Sequence, residues 1–584
     1  MRSVTLNRTA SRLELATRSV SSFLRAAVEG FGWKTLLLLA FTTGTAYFLL
    51  YREFGLYSDD YTFISRPFAW DLEQLLGHIA GAIRTWPIGR PIGFILPQVA
   101  AYAAAHAGGL PSVYLIGFGI LTLNSFLVYL VARPVAPEFL ALIAALAYAL
   151  FPADTTRPFA MHATGLQTSM TFMLVAALLY LAEKRALAYV IAAASLLTYE
   201  SGFMPFLAVP LLKPHWERGF SRVWLKHVAV CLALLAAAFL YRRLTNDERT
   251  GALSAEPFEM ALRAVGGMVM GPIAALSTFP SRFLTPWLNL DQTLALVMLG
   301  AFVVLGWRLL KSQPASPAVR NASRFDFNFD SLWKWLRATH PHILVASLVM
   351  LALGYSLSFT HFPPIAIQGQ ATSVHLAATF GASLLFGWIC YALWTSLQLT
   401  SSRIVFTLCL AFYLSTLVGF GFLVQRDYRS AWSIQKQFWQ QTLDLVPDLE
   451  DGTVILAVQD GIPQTQYINA TSWADPLVLP EIFAFPKEWE TPPRVYPVSG
   501  NWQSQVRVLG GEFELFSSPW PGQWVELRPG QVVVLESENG KLVRLDQVVE
   551  IQGHAFQLKP LRTGGNPAFA QGVLYQFLIR PGGN

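Results

Sequence analysis

The sequence has little charge for its length. Of its 584 residues, 13% are Asp, Glu, Lys or Arg and 53% are hydrophobic, and the mean hydropathy is +0.42. Soluble domains carry roughly 25% charged residues, so this composition excludes a soluble class and predicts many membrane spans. The net charge of +6 does not indicate a nucleic-acid partner, because Lys and Arg accumulate in the cytoplasmic loops of membrane proteins.

Cysteine and the common catalytic motifs are also scarce. The three cysteines, Cys231, Cys390 and Cys409, all lie in apolar segments, so a disulfide framework is not expected. The sequence contains no P-loop, Rossmann fingerprint, zinc-ligand spacing or nucleophile elbow. These absences exclude the usual nucleotide, zinc and hydrolase motifs as the basis of a function.

Long apolar runs predict a multispanning α-helical membrane protein with about 11 spans, or as many as 13. The predicted spans are 35–51, 112–132, 138–152, 164–182, 186–198, 202–213, 224–243, 289–310, 342–359, 374–397 and 403–425. The stretches 91–107 and 262–280 are apolar but are broken by Gly and Pro. We predict that both are re-entrant or interfacial helices, and full spans remain the alternative.

The basic residues orient the chain. The Arg-rich tail 1–34 is predicted to be cytoplasmic, and the apolar run after it is long enough to remain as a span rather than be cleaved. Arg242, Arg243 and Arg249 then fall outside, against the rule. We expect an integral protein of a bacterial inner membrane with its C-terminal region in the periplasm. The polar residues that emerge on the outer side include Asp59, Asp60, Arg90, Asp154, Arg157, His162, Glu200 and His361.

The chain changes character near Gln425, which divides it into a tail (1–34), a transmembrane region (35–425, with an external loop at 52–111) and a C-terminal region (426–584). Residues 426–448 read as an aromatic amphipathic helix. Beyond them, short β-like runs alternate with Gly-containing turns and predict a β-rich extramembrane domain. The predicted strands are Thr453–Val458, Gln523–Leu527, Gln531–Leu535 and Lys541–Leu545.

An adjacent acidic pair, Asp59 and Asp60, follows the first predicted span at the start of the external loop. Neighbouring carboxylates repel each other and need solvent, a cation or a donor nearby. They suit a general base that positions an acceptor, and binding of a divalent cation such as Mg²⁺ or Mn²⁺ is left open. The flanking Tyr57 and Tyr61 could offer a stacking surface for a sugar. The alternative is a solvated loop charge or a helix cap.

Two arginines are candidate phosphate ligands or structural residues. Arg90 lies in Gly89-Arg-Pro-Ile-Gly93 at the head of an apolar segment, where it either snorkels to headgroups or clamps a phosphate bidentately. Arg157 lies in an external loop with Asp154 and His162, and Asp154 and Arg157 could simply pair with each other.

Three further polar residues are candidates of the same kind. Glu200 lies between two short apolar segments at the outer face, and ionisable groups at membrane depth are functional candidates. Asn124 lies inside a predicted span, where a helix–helix hydrogen bond is the alternative. His361 lies in an external loop, and a single histidine of this kind is more often structural.

In order and approximate spacing over residues 35–215, these elements resemble the GT-C superfamily of multispanning glycosyltransferases, particularly its protein O-mannosyltransferase-like branches. The matching elements are Tyr57-Ser-Asp-Asp-Tyr61, Gly89-Arg-Pro-Ile-Gly93, Asn124, Phe151-Pro-Ala-Asp-Thr-Thr and Tyr199-Glu-Ser-Gly202. The sequence departs from the pattern at Phe151, where the family has His, and at Tyr199, where it has Lys. A phosphate contact from that Lys is therefore lost.

The resemblance implies a polyprenyl-phosphate-linked sugar donor and inverting transfer at the outer face of the membrane. The acceptor would be a glycan, a lipid or a protein. By this likeness Asp59 or Asp60 would be the base, Arg90 and Arg157 would neutralise the departing phosphate, and Glu200 would orient a partner. Two other hypotheses remain: an inactive scaffold that binds a protein through its C-terminal domain, and a transporter of lipid-linked glycans.

Overall fold

A computed structural model describes residues 32–214, 216, 218–245, 256–313, 339–358, 363–397, 399–470, 475–517, 523–538, 540–562 and 569–580. Helices dominate up to residue 445, and strands dominate beyond it. The helices are α1 (Trp33–Thr43), α2 (Asp60–Phe63), α3 (Leu72–Thr85), α4 (Pro91–His106), α5 (Leu110–Ala132), α6 (Glu138–Ala149), α7 (Gln167–Leu181), α8 (Arg185–Thr198), α9 (Glu200–Phe203), α10 (Phe220–Leu244), α11 (Pro257–Leu288), α12 (Gln292–Lys311), α13 (Pro341–Leu353), α14 (Thr379–Ser396), α15 (Thr400–Leu445), α16 (Asp475–Ile482) and α17 (Tyr575–Leu578).

Several helices are long and apolar enough to span a membrane, as an integral membrane protein requires. Within the described ranges seven meet that criterion: Trp33–Glu53, Leu110–Ala132, His162–Leu181, Phe220–Leu244, Pro257–Leu288, Gln292–Lys311 and Thr400–Leu445. Six of them overlap predicted spans. The total of about 11 spans stays a prediction, because the other predicted spans coincide with shorter helical segments.

Two proline-containing segments differ from the prediction. The stretch 262–280 lies within the continuous 32-residue helix α11, so its length favours the alternative of a full span. By contrast, much of the predicted span 202–213 is a nine-residue 3₁₀ helix, Met204–Leu212, which contains Pro205 and Pro210. Proline removes a backbone donor and clashes with the preceding turn, which disfavours an α-helix there.

Close backbone packing holds the helical region together. All residues of α6 from Phe139 to Ala149 are buried. A Cβ added to Gly387 of α14 would come within 3.0 Å of the Ala144 side chain, and one added to Gly421 of α15 would come within 2.7 Å of the Ala46 carbonyl oxygen. Small residues at such crossings allow helices to approach closely, which is a common packing mode in membranes.

Helix α15 runs without interruption for 46 residues, so the predicted boundary at Gln425 falls inside a helix. The Gln425 side chain accepts a hydrogen bond from the Leu50 amide (2.8 Å) and donates one to the Thr45 carbonyl (2.9 Å). Thr45 lies within a π-helical turn, Gly44–Phe48, that follows α1, and Leu50 lies just after it. One glutamine thus satisfies backbone groups that the irregular turn leaves open.

The four predicted strands are confirmed in the C-terminal region. The strands are β1 (Val454–Val458), β2 (Phe483–Ala484), β3 (Arg494–Val498), β4 (Val506–Leu509), β5 (Glu512–Phe516), β6 (Trp524–Leu527), β7 (Val532–Glu538), β8 (Lys541–Leu545), β9 (Val548–Ile551), β10 (His554–Gln557) and β11 (Ala570–Gln571). The largest sheet has the order β3-β1-β7-β8, with β1 parallel to both its neighbours and β8 antiparallel to β7. A separate antiparallel sheet contains β4, β5 and β6.

Buried ion pairs join the end of α15 to this domain. The Arg544 guanidinium binds the Asp448 carboxylate at 2.7 Å, and the Lys559 ammonium donates to the Asp448 carbonyl at 2.6 Å. The domain also contacts the external loop, where Arg66 pairs with Glu481 at 2.8 Å. The C-terminal region therefore packs on the loop that carries the acidic pair.

Candidate functional site

The two carboxylates of the acidic pair have different environments. Asp60 is fully buried at the start of α2. Its Oδ1 accepts a hydrogen bond from the Met161 amide at 2.8 Å, and its Oδ2 accepts one from the Tyr57 amide at 3.2 Å. Burial raises the pKa of Asp60 well above its usual range, although these amides act in the opposite direction. Asp60 therefore fastens the external loop to the segment that precedes α7.

Asp59 is partly exposed beside it. The Gln370 side-chain amide approaches the Asp59 Oδ2 at 3.5 Å. The preceding residue, Ser58, has a φ of 44°, a left-handed conformation that a non-glycine residue adopts at a cost. The turn therefore places one carboxylate inward as an anchor and leaves the other accessible.

The acidic pair does not fit a divalent cation. Both Asp60 oxygens face backbone N–H donors, which compete with a metal for the same lone pairs. Within the part of the chain that the structure describes, no three His, Cys, Asp or Glu side chains come together as a metal site. A metal at this place would have Asp59 as its one carboxylate ligand from the pair, without Asp60. The reaction proposed below therefore uses no metal.

The two flanking tyrosines do not form the expected stacking surface, because both are buried. The Tyr57 hydroxyl donates to the Tyr428 carbonyl at 2.7 Å, and its ring packs edge-on against Tyr428. The Tyr61 hydroxyl donates to Gln435. Helix α15 covers both rings, so these residues hold the loop against the helix.

Arg90 and Glu200 form a bidentate ion pair. The Arg90 Nε and Nη2 atoms each lie 2.7 Å from a different oxygen of Glu200, and the Arg90 guanidinium lies 4.4 Å from the centre of the Tyr199 ring. The Arg242 Nη1 is 3.5 Å from the same carboxylate. Burial raises the pKa of Glu200, but Arg90 and Arg242 outweigh it and lower the pKa to about 2. The arrangement is a cationic cluster built around one carboxylate.

The sequence did not identify Arg242 as part of this cluster, although it gave one signal. Arg242 was predicted on the outer side, against the charge rule, and a misplaced charge of this kind indicates a partner. The chain makes close contact there, since a Cβ on Gly89 would come within 1.9 Å of the Arg242 Nε. Gly89 has a φ of 66°, which glycine adopts readily.

Arg157 does not lie at an accessible phosphate site as expected. It is fully buried, and its Nη1 donates to the carbonyls of Tyr148 (2.5 Å) and Ala149 (2.9 Å). Asp154 accepts hydrogen bonds from the amide and hydroxyl of Thr156. Neither a bound phosphate nor a direct Asp154–Arg157 pair, both considered from the sequence, matches this geometry.

Two of the remaining candidates, Asn124 and His162, are packed inside the helical region. The Asn124 side chain donates to the Gln167 carbonyl at 2.8 Å and accepts from Thr171 at 2.6 Å, the helix–helix bond that was the alternative. His162 is buried, with its ring 4.3 Å from that of Phe159. His361 lies outside the described residues. Asn124 and His162 therefore have no accessible face for a ligand.

A cavity of 540 Å³ lies beside the acidic loop, between α3 and α4. Phe94 lines it and also packs against Phe63 of α2, with 5.1 Å between the ring centres. None of Asp59, Asp60, Arg90 or Glu200 is among its lining residues. These four candidate residues therefore do not share this cavity.

Comparisons of the chain with protein-family models, with curated proteins and with solved structures found no match.

Proposed function

We propose that this protein is a membrane glycosyltransferase that moves a sugar from a polyprenyl-phosphate donor to an acceptor hydroxyl at the outer face of the membrane. The proposal also takes the N-terminus as cytoplasmic and the C-terminal domain as periplasmic, in a bacterial inner membrane. The observation that supports it most directly is the difference in burial between the two carboxylates of the acidic pair. A buried Asp60 fixes the loop, and a partly exposed Asp59 follows a strained Ser58. Backbone strain of this kind clusters at functional sites.

Asp59 is the general base in this mechanism. Its carboxylate takes the proton of the acceptor hydroxyl as the oxygen attacks the anomeric carbon of the sugar. The bond between that carbon and the phosphate oxygen breaks, and the polyprenyl phosphate leaves with the electron pair. The attack comes from the face opposite the leaving group, so the configuration at the anomeric carbon inverts.

Arg90 and Arg242 stabilise the departing phosphate. Arg90 holds Glu200 through its Nε and Nη2 atoms, and a guanidinium that binds a carboxylate through one edge can face phosphate oxygens with its other N–H groups. In this proposal Glu200 orients Arg90 and keeps the cluster from carrying two uncompensated positive charges. Arg157 is replaced by Arg242 in the role first expected of it, since Arg157 is buried.

The test is transfer of radiolabelled sugar from polyprenyl-phosphate donors by the purified full chain. Asp59→Asn should abolish transfer while the thermal stability stays near that of wild type. Glu73→Gln, an exposed carboxylate in the first turn of α3, is the control and should keep full activity. Transfer that survives Asp59→Asn would remove the proposed base.

A second candidate function, an inactive scaffold or assembly subunit, has its own supporting observations. Glu200 already engages Arg90, and α15 covers the rings of Tyr57 and Tyr61. Such contacts are what a filled, non-catalytic site would have. Absence of transfer from a broad donor and acceptor panel by stable wild-type protein would favour this candidate.

A further inference from the structure

The cavity between α3 and α4 has the features of a ligand site. Its volume of 540 Å³ lies within the range of about 300 to 1,000 Å³ typical of small-molecule pockets. Its lining combines amide, hydroxyl, imidazole and aromatic groups, from Gln74, Thr85, His78, Gln98 and Phe94. We propose that this cavity binds a neutral saccharide.

The charge of the lining selects against an anionic ligand. None of the described residues that line the cavity is Asp, Glu, Lys or Arg. The amides of Gln74 and Gln98 each offer donors and an acceptor, which suits vicinal hydroxyl groups. The Gln98 Oε1 is buried and has no hydrogen-bond partner among the described residues. Rotation of the Gln98 amide toward the cavity would let a hydroxyl of the ligand supply that missing bond.

Two glycines provide the space. Gly77 and Gly81 are four residues apart, so they share one face of α3. A Cβ added to either would meet no atom within 4 Å, and both line the cavity. Phe94 forms part of the lining from α4 and gives the apolar C–H face of a sugar ring an aromatic surface on which to pack.

The opposite face of α3 indicates where the cavity lies relative to lipid. Leu72, Leu76 and Ile83 fall on one stripe of this helix, and each is more than half exposed. A helix with an exposed apolar stripe and a polar opposite face is expected at a membrane surface. The saccharide can therefore be free or carried by a lipid, and the experiment separates these sources.

The inference goes beyond the proposed transfer, because it concerns binding and needs no donor or reaction. It would hold for an inactive scaffold as well. Its location fits an acceptor, since Phe94 links the cavity to Phe63, three residues after Asp60. Binding and transfer are measured separately, so one can fail while the other stands.

The experiment uses the full chain in amphipol, which avoids sugar-based detergents. Binding of methyl glycosides of glucose, galactose and mannose is measured by saturation-transfer difference NMR. The octyl glycosides of the same sugars form the second arm, and glucose 6-phosphate is the charged comparator. Three variants are tested alongside wild type: Gly81→Leu, Gln98→Leu and Gly119→Leu.

We expect saturable binding of at least one neutral glycoside to wild type. Gly81→Leu should weaken it by at least about tenfold because the side chain fills the space, and Gln98→Leu by about three- to tenfold because one hydrogen bond is lost. Gly119→Leu should bind as wild type does, since Gly119 also has open space around it but lies outside the cavity. Replacing glycine in a helix favours folding, so Gly81→Leu and Gly119→Leu should retain the thermal stability of wild type.

The two arms assign the source of the sugar. Equal affinities for methyl and octyl glycosides indicate a free saccharide or glycan chain, whereas binding of the octyl forms alone indicates a lipid-borne one. The proposal is overturned if no neutral glycoside binds, if Gly81→Leu leaves the affinity unchanged, or if glucose 6-phosphate binds more tightly than the glucose glycosides.

Discussion

The Arg90 guanidinium donates a hydrogen bond to each oxygen of the Glu200 carboxylate, and both donor–acceptor distances are 2.7 Å. The two side chains are only 20% and 19% exposed, so little solvent screens the pair. Because Arg242 approaches the same carboxylate, protonation of Glu200 would leave two cations facing each other without their counter-charge.

Stability should therefore fall in acid. The pKa of Glu200 is lowered from 4.5 to about 2 in the folded protein, so its stabilising contribution is complete above the unfolded value. It is lost as the pH falls from about 4.5 through 2. Thermal unfolding of the solubilised protein, followed from pH 7 to 2, should show this loss in wild type and less of it in Glu200→Gln. Glu53→Gln, which removes an exposed pair with Arg429, is the control and should keep the wild-type pH profile.

Asp60→Asn should destabilise the protein by about 1–3 kcal/mol, because an amide group would then face the amides of Met161 or Tyr57 inside the fold. Asp59→Asn should change the free energy of unfolding by less than about 0.5 kcal/mol, as expected for a partly exposed residue. Denaturant or thermal unfolding of the two variants measures the difference. Equal effects would contradict the assignment of Asp60 as the anchor.

Gln425→Leu should cost about 1–3 kcal/mol, because it leaves the Leu50 amide and the Thr45 carbonyl without their side-chain partner. Gln437→Leu is the matched control, since Gln437 lies on the same helix and is exposed. Its stability should stay within about 0.5 kcal/mol of wild type. A loss of similar size in both variants would show that the amide bridge is not the cause.

Asp448→Asn should be the most damaging of these changes, because it removes the buried carboxylate that Arg544 and Lys559 share. These two buried cations would then keep only the half-exposed carboxylates of Asp546 and Glu450. Loss of one partner from a buried pair typically costs about 3–5 kcal/mol. Limited proteolysis and thermal unfolding should show a loosened C-terminal domain. Glu526→Gln breaks an exposed pair with Arg528, and its effect should stay below about 1 kcal/mol.

The parts of the fold that could be predicted are those with a local signal. The strand Lys541–Leu545 was predicted with the observed bounds, because a β-run beside a Gly turn is a short-range pattern. The stretch 262–280 was harder, since Gly and Pro in the sequence suggest a break. Packing against neighbouring helices supports such residues in membranes, and α11 continues through them.

The candidate site could be predicted only in part, because contacts with residues far away in the sequence determine the surroundings of its side chains. The sequence indicated that Asp59 and Asp60 are candidate functional residues, but not that one is buried and the other partly exposed. That difference comes from the Met161 amide, 101 residues away. Likewise, no sequence pattern indicated that Tyr57 would be covered by Tyr428, which is 371 residues away.

By itself, the sequence determined the apolar composition of a membrane protein, several of the helices that are long and apolar enough to span a membrane, and the β-rich end of the chain. Hydropathy and turn residues act over a few neighbours, so these features can be read locally. The tertiary structure alone decided that Arg90 binds Glu200, that Arg242 joins them and that Arg157 is buried. The surroundings of a charge depend on which distant segments pack around it, and no local pattern specifies that packing.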